Sequence, residues 1–144
     1  MTATDHLTQA ISDSYDETPY ISLPFSFTAP GSLRAVASLY GLASPSLENA
    51  RVLEMGCAAG GNLLPFALNH PNAQVVGIDL SPQQIEAGQR VAEAAGARNL
   101  DLQAMSLTDI TADFGEFDYI ICHGVFSWVP PDVRDAILRI CRNN

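Results

Sequence analysis

Eleven residues, Val52-Leu53-Glu54-Met55-Gly56-Cys57-Ala58-Ala59-Gly60-Gly61-Asn62, limit what this chain can fold into more than any other stretch. Val52, Leu53 and Met55 form a short apolar run of the kind that makes a buried parallel strand. The run breaks at Gly56, passes through small residues, and continues as Asn62-Leu63-Leu64-Pro65-Phe66-Ala67-Leu68, which reads as a helix over about 61–69. A Pro in the first helical turn is tolerated because the N–H it lacks would be unpaired there. Strand, small-residue turn and helix together are the opening unit of a doubly wound α/β sheet, in which a ligand can touch bare backbone at the turn.

The turn lacks the Gly-Lys-Ser/Thr ending of a triphosphate loop. Gly56, Ala58 and Gly61 give G-x-A-x-x-G, a dinucleotide fingerprint with its middle glycine replaced. Glu54 lies two places before Gly56, where a carboxylate would repel a phosphate and attract a cation. S-adenosylmethionine carries an ammonium and a sulfonium and no phosphate. The alternative for Glu54 is an acid that bonds the turn's own amides.

A second anchor is Val75-Val76-Gly77-Ile78-Asp79-Leu80-Ser81-Pro82, a buried strand ending in an acid, with Ser81 as N-cap and Pro82 at the first helical position. Asp79 falls at the carboxyl end of its strand, where such folds bind nucleosides, and one carboxylate can accept from both ribose hydroxyls. A strand-end acid can also simply cap the next helix, a task Ser81 already fills.

These two segments together resemble the class I S-adenosylmethionine-dependent methyltransferases. Phe117–Pro130, the following Val133-Arg134-Asp135-Ala136-Ile137-Leu138, and the opening Ser14–Tyr20 are similar to bacterial members that carry a methyltransferase regulatory domain after the catalytic one. The resemblance implies S-adenosyl-L-methionine as cofactor and a Rossmann-like, doubly wound parallel sheet with the strand order 3-2-1-4. It also implies a fold cut short after the fourth strand and its helix, with the regulatory domain missing and the edge of strand 117–122 uncovered. A catalytic frame of this kind would be active or an inactive truncated remnant. The rival from another enzyme class, an NAD(P)-dependent Rossmann oxidoreductase, fits G-x-A-x-x-G loosely but would set a pyrophosphate against Glu54.

By the same resemblance, Gly56 and Gly60 either let the methionine end lie against the backbone, with free N–H groups at the helix start meeting its carboxylate, or merely allow a tight strand–helix turn, and Cys57, Ala58 and Asn62 join them as donor-site residues. Leu80 covers one face of the adenine and Met105-Ser106-Leu107 the other, Ser106 taking the place of an acid common in relatives, with Asp109 a loop cap. Cys122, His123 and Gly124 face the methyl group. His123 is either a general base, its ordinary pKa being about 6.5, or an imidazole bonded within its turn or to the ligand. Phe126 and Trp128 either wall the pocket or pack core, and Tyr15 and Tyr20 either close over the ligand or staple the lead-in to the surface.

Along the chain, residues 1–30 hold Pro19, Pro24 and Pro30 among aromatics, which argues for an extended segment lying on the domain. Leu33, Val36, Ala37 and Tyr40 recur at helical spacing before Gly41. Residues 1–49 are thus a lead-in and helix on a core of 50–144. Further elements are expected as strands at 51–55, 74–79, 99–105 and 117–122, and helices at 82–95 and 131–142, an alternation that means a parallel sheet with right-handed crossovers.

Net charge is −9, and the seven basic residues are scattered arginines, so there is no basic stripe for a nucleic-acid groove. A small-molecule or protein acceptor is favoured over nucleic acid. Cys57, Cys122 and Cys141 are odd in number and far apart, which suggests neither a disulfide framework nor a zinc site. No apolar run approaches a membrane span, and the cytoplasm is the default location.

Overall fold

The computed structural model describes residues 21–144; Tyr15, Tyr20 and the rest of 1–20 lie outside the described residues. Helix α1 (Pro30–Leu39) leads into strand β1 (Arg51–Met55), helix α2 (Leu64–Asn69) and strand β2 (Gln74–Asp79). Helix α3 (Pro82–Ala95), strand β3 (Leu100–Ala104), two 3-10 turns (Leu107–Asp109 and Ala112–Phe114), strand β4 (Tyr119–Cys122) and helix α4 (Pro131–Asn143) follow. All four strands are parallel, in the order β3-β2-β1-β4. Among the described residues, β4 ends the sheet with β1 as its sole strand neighbour.

The side-chain alternation of a strand divides the core in two. Val52 and Val75 join Leu63, Phe66, Ile85 and Leu102 on one face of the sheet. Leu53, Met55 and Ile78 join Ile110, Val133, Ile137 and Ile140 on the other. Glu54, in step with Val52, is therefore carried inward on the first face and is only 4% exposed.

Local chemistry sets the element ends. Ser81 caps α3 by accepting from the Gln84 N–H, and Gly96, at φ 76°, closes it in the left-handed conformation. Most expected boundaries hold to within one residue, and two starts shift further. α2 begins at Leu64 and not near 61, because the chain first makes a tight turn in which the Gly60 carbonyl accepts from both Leu63 and Leu64. β4 begins at Tyr119 and not 117, because the Phe117 N–H turns to the Asn144 carbonyl. No helix among the described residues is long and apolar enough to cross a membrane.

Candidate functional site

Parallel pairing sets Met55 beside Ile78 and Cys122, so β1, β2 and β4 end together and their loops open on one side. A cleft of about 520 Å³ lies there, within the usual size of a small-ligand site. Glu54, Gly56, Cys57, Ala58 and Asn62 line it from the first loop, Asp79 and Leu80 from the second. Ser106 and Leu107 come from the loop after β3, and His123 from the end of β4. Among the described residues, no arginine lines the cleft.

Gly56 has φ +74°, and a Cβ there would sit 2.3 Å from Val125 Cγ2, so only glycine lets the loop after β4 close against this turn. Several of the turn's amides are engaged within the protein. Gly56 and Cys57 both donate to the Ile78 carbonyl, at 2.8 and 3.0 Å, and Gly61 donates to Ser22 Oγ at 2.8 Å. The N–H groups expected to stand free at the start of α2 are thus engaged in part within the loop itself.

Gly60 and Cys122 do not line the cleft. Gly60 faces the Leu102 side chain, where an added Cβ would stand 2.9 Å from Cδ2, and its role is to let the loop lie on the core. Cys122 packs against the second core cluster, its side chain falling on the same face as Met55. Burial raises its thiol pKa and that of Cys57, for Cys57 with the nearby carboxylates of Asp79 and Glu54 adding to the effect.

The two acids differ in how they are held. Asp79 accepts from the Ala58 N–H at 2.7 Å and from the Ser81 N–H at 3.0 Å, so it fastens the first loop and caps the second. A carboxylate has about four acceptor positions, so both oxygens keep capacity for a ligand. Glu54 bonds none of the turn's amides. Its Oε1 accepts from Asn62 Nδ2 at 2.6 Å, and its buried Oε2 has no partner among the described residues. Burial pushes the Glu54 pKa up to about 7, with Asn62 opposing and Asp79 adding to the rise.

Ser106 is the N-cap of its 3-10 turn, accepting from the Thr108 N–H, and its hydroxyl lies 2.7 Å from Thr108 Oγ1. Asp109 lies within that turn, with its N–H donating to the Ser106 carbonyl, and does not line the cleft. Trp128 lines the mouth at 78% exposure. Phe126 stands outside the lining, with the Arg134 guanidinium 5.9 Å from its ring centre.

Sequence reasoning missed the cover. Ser22, Leu23 and Phe25 line the cleft from the lead-in, and Phe25 and Phe27 flank His123 with ring centres 4.9 and 5.1 Å away. The aromatics between Pro24 and Pro30 signalled a segment that packs on the domain, but not where it would pack. Gln84 was missed as well; it is a buried polar side chain one turn into α3 that lines the cleft.

Comparison with known proteins bears on this geometry. Residues 52–143 match a family model described as a methyltransferase domain. The chain is 50% identical over 137 residues to uncharacterized protein RP789 of Rickettsia prowazekii, covering 95% of this chain and 25% of that protein. A second uncharacterized protein of that organism is 47% identical over 127 residues, covering 88% of this chain and 51% of that one. The chain thus spans between a quarter and about half of these relatives. Among solved structures, PKMT2 from Rickettsia typhi in complex with AdoHcy superposes with a TM-score of 0.84 at 46% identity, over 87% of this chain and 24% of that one.

Proposed function

The chain belongs to the class I S-adenosylmethionine-dependent methyltransferases through its methyltransferase domain, and on that premise we propose that the cleft holds the methyl donor and delivers its methyl group to an acceptor. One observation carries the reading: Glu54 and Asp79 share a cleft beside Gly56 that no arginine lines. A floor with two acids suits a cationic nucleoside and repels a pyrophosphate. The donor also fits on a second ground, since the buried and unpartnered Glu54 Oε2 is an acceptor left without a donor.

In this reading Glu54 takes the ammonium, and Asp79 takes the ribose hydroxyls with the acceptor capacity it keeps. Gly56, Cys57, Ala58 and Asn62 shape the methionine end, while Leu80, Ser106 and Leu107 hold the adenine. His123, flanked by two rings, stands at the acceptor side. When bound, the donor supplies an electrophilic methyl on an already activated leaving group. The protein then has to align the partners and exclude water, and proximity of this kind supplies about 7–11 kcal/mol. Residues 50–144 form the donor-binding part, on which the described part of the preceding segment, 21–49, packs, and a cytoplasmic location belongs to the same reading. A small-molecule or protein acceptor fits the net charge of −9 better than a nucleic acid does.

Calorimetric titration of the folded chain with S-adenosylmethionine, AdoHcy and NAD tests the proposal. Binding of the first two and not of NAD is expected. Binding of NAD alone, or of none of the three, would sink it.

A further inference from the structure

Asn62 joins the floor of the cleft to its cover. Its side-chain nitrogen donates to Glu54 Oε1 at 2.6 Å and to Thr28 Oγ1 at 3.1 Å, while its oxygen accepts the Phe25 N–H at 2.8 Å. The amide is held in one orientation, since a backbone N–H only donates and an ionised carboxylate only accepts. Glu54 is left with one engaged oxygen and one, Oε2, that is buried and unpartnered. Phe25, fixed through its N–H, sets its ring 4.9 Å from that of His123. One side chain therefore connects the acid of β1, the cover and the imidazole beyond it.

We propose that Asn62 is a positioning residue that aims Glu54 at the donor's cation and fastens Ser22–Thr28 over the cleft, so that donor binding and closure of the cover are one coupled event. The inference rests on the methyl-donor reading. A cation at Oε2 favours the ionised acid, and an ionised carboxylate holds the Asn62 N–H more strongly than a neutral one does. Hydrogen bonds in series polarise one another, so the bond from Phe25 tightens in turn. The groups that face Glu54 are Asp79, the thiol of Cys57, and Asn62, with His123 lining the same cleft and the Cys122 thiol on the far face of the sheet. Burial and Asp79 oppose its ionisation, and Asn62 favours it.

The test is calorimetric titration of AdoHcy into the full chain across the Glu54 pKa of about 7. The proteins are wild type, Asn62→Ala, Glu54→Gln and the double variant, with hydrogen exchange read at the Phe25 amide. Without Asn62, binding should fall away about one pH unit higher, because a hydrogen bond to a charged group has been lost. Asn62→Ala should weaken binding roughly tenfold in the wild-type background and little beside Glu54→Gln. AdoHcy should slow exchange at Phe25 in wild type and not in Asn62→Ala. Should that variant fail to fold, Asn62→Ser replaces it, its side chain being too short to span both partners. An unmoved pH midpoint, additive losses, or unchanged protection at Phe25 would overturn the inference while leaving the donor reading intact. No binding by the wild-type chain would overturn both.

Discussion

Asp79 Oδ2 accepts the backbone N–H of Ala58 at 2.7 Å, so the acid that ends β2 is bolted to the loop that ends β1. Its other oxygen holds the Ser81 N–H, at the mouth of α3. The two sequence segments that suggested a nucleoside site are thus joined by one carboxylate before any ligand arrives. Such a site is preorganised: little ordering remains to oppose binding.

Asp79→Asn should separate these duties. An amide offers one acceptor oxygen, so one of the two N–H groups must face an NH2 and lose its partner. A loss of about 1–3 kcal/mol in urea unfolding is expected. AdoHcy binding should weaken roughly tenfold as the charged acceptor for the ribose disappears. Unchanged values in both measurements would remove Asp79 from the site.

Glu54 predicts a pH dependence of stability. Its folded pKa, about 7, lies above the ordinary value of 4.5, so the folded state holds the proton more tightly. The resulting stabilisation is fully present below pH 4.5 and is lost as the pH rises to 7, in total about 3 kcal/mol. Denaturant unfolding of the ligand-free chain should show this decline, and Glu54→Gln should flatten it. A wild-type slope that survives in Glu54→Gln would have to come from another group.

Gly61→Ala probes the cover without touching either acid. A Cβ there would sit 2.4 Å from the Ser22 carbonyl oxygen, a backbone atom that cannot swing aside alone. The lead-in has to lift, breaking the 2.8 Å bond from the Gly61 N–H to Ser22 Oγ. Stability should drop by about 1–3 kcal/mol. Proteolysis near Ser22 should quicken, and AdoHcy binding should weaken. Wild-type proteolysis and binding would show that the cover does not depend on this contact.

Ala58 is the one non-glycine among the described residues with positive φ, at 51°. An L-residue there is strained by about 1–2 kcal/mol, whereas glycine forfeits about 0.4–1 kcal/mol through its freer unfolded chain. Ala58→Gly should therefore stabilise the protein by about 0.5–1 kcal/mol. Thermal unfolding checks this, with AdoHcy affinity expected to hold because the Ala58 N–H keeps its place on Asp79.

The order of strands and helices was legible in the residues because its causes are local. Strand alternation, Ser81 with Pro82, and Gly96 each act within a turn or two of chain, and the ends of β1, β2 and α3 fall where those signals put them. Ten of the twelve expected site residues line the cleft, for the related reason that strand ends in a parallel sheet must open on the same side. Gly60 and Cys122 do not, since a loop's outline is visible in sequence while the direction each residue faces depends on what packs behind it. For these two that is Leu102 and the second core cluster. The cover belongs wholly to tertiary structure: Phe25 reaches Asn62 across 37 positions, a separation at which neighbouring residues carry no information about contact. The same holds for the charge of Glu54. Its place in the chain was evident, but its affinity for a proton is set by how much water the assembled sheet and cover exclude from it.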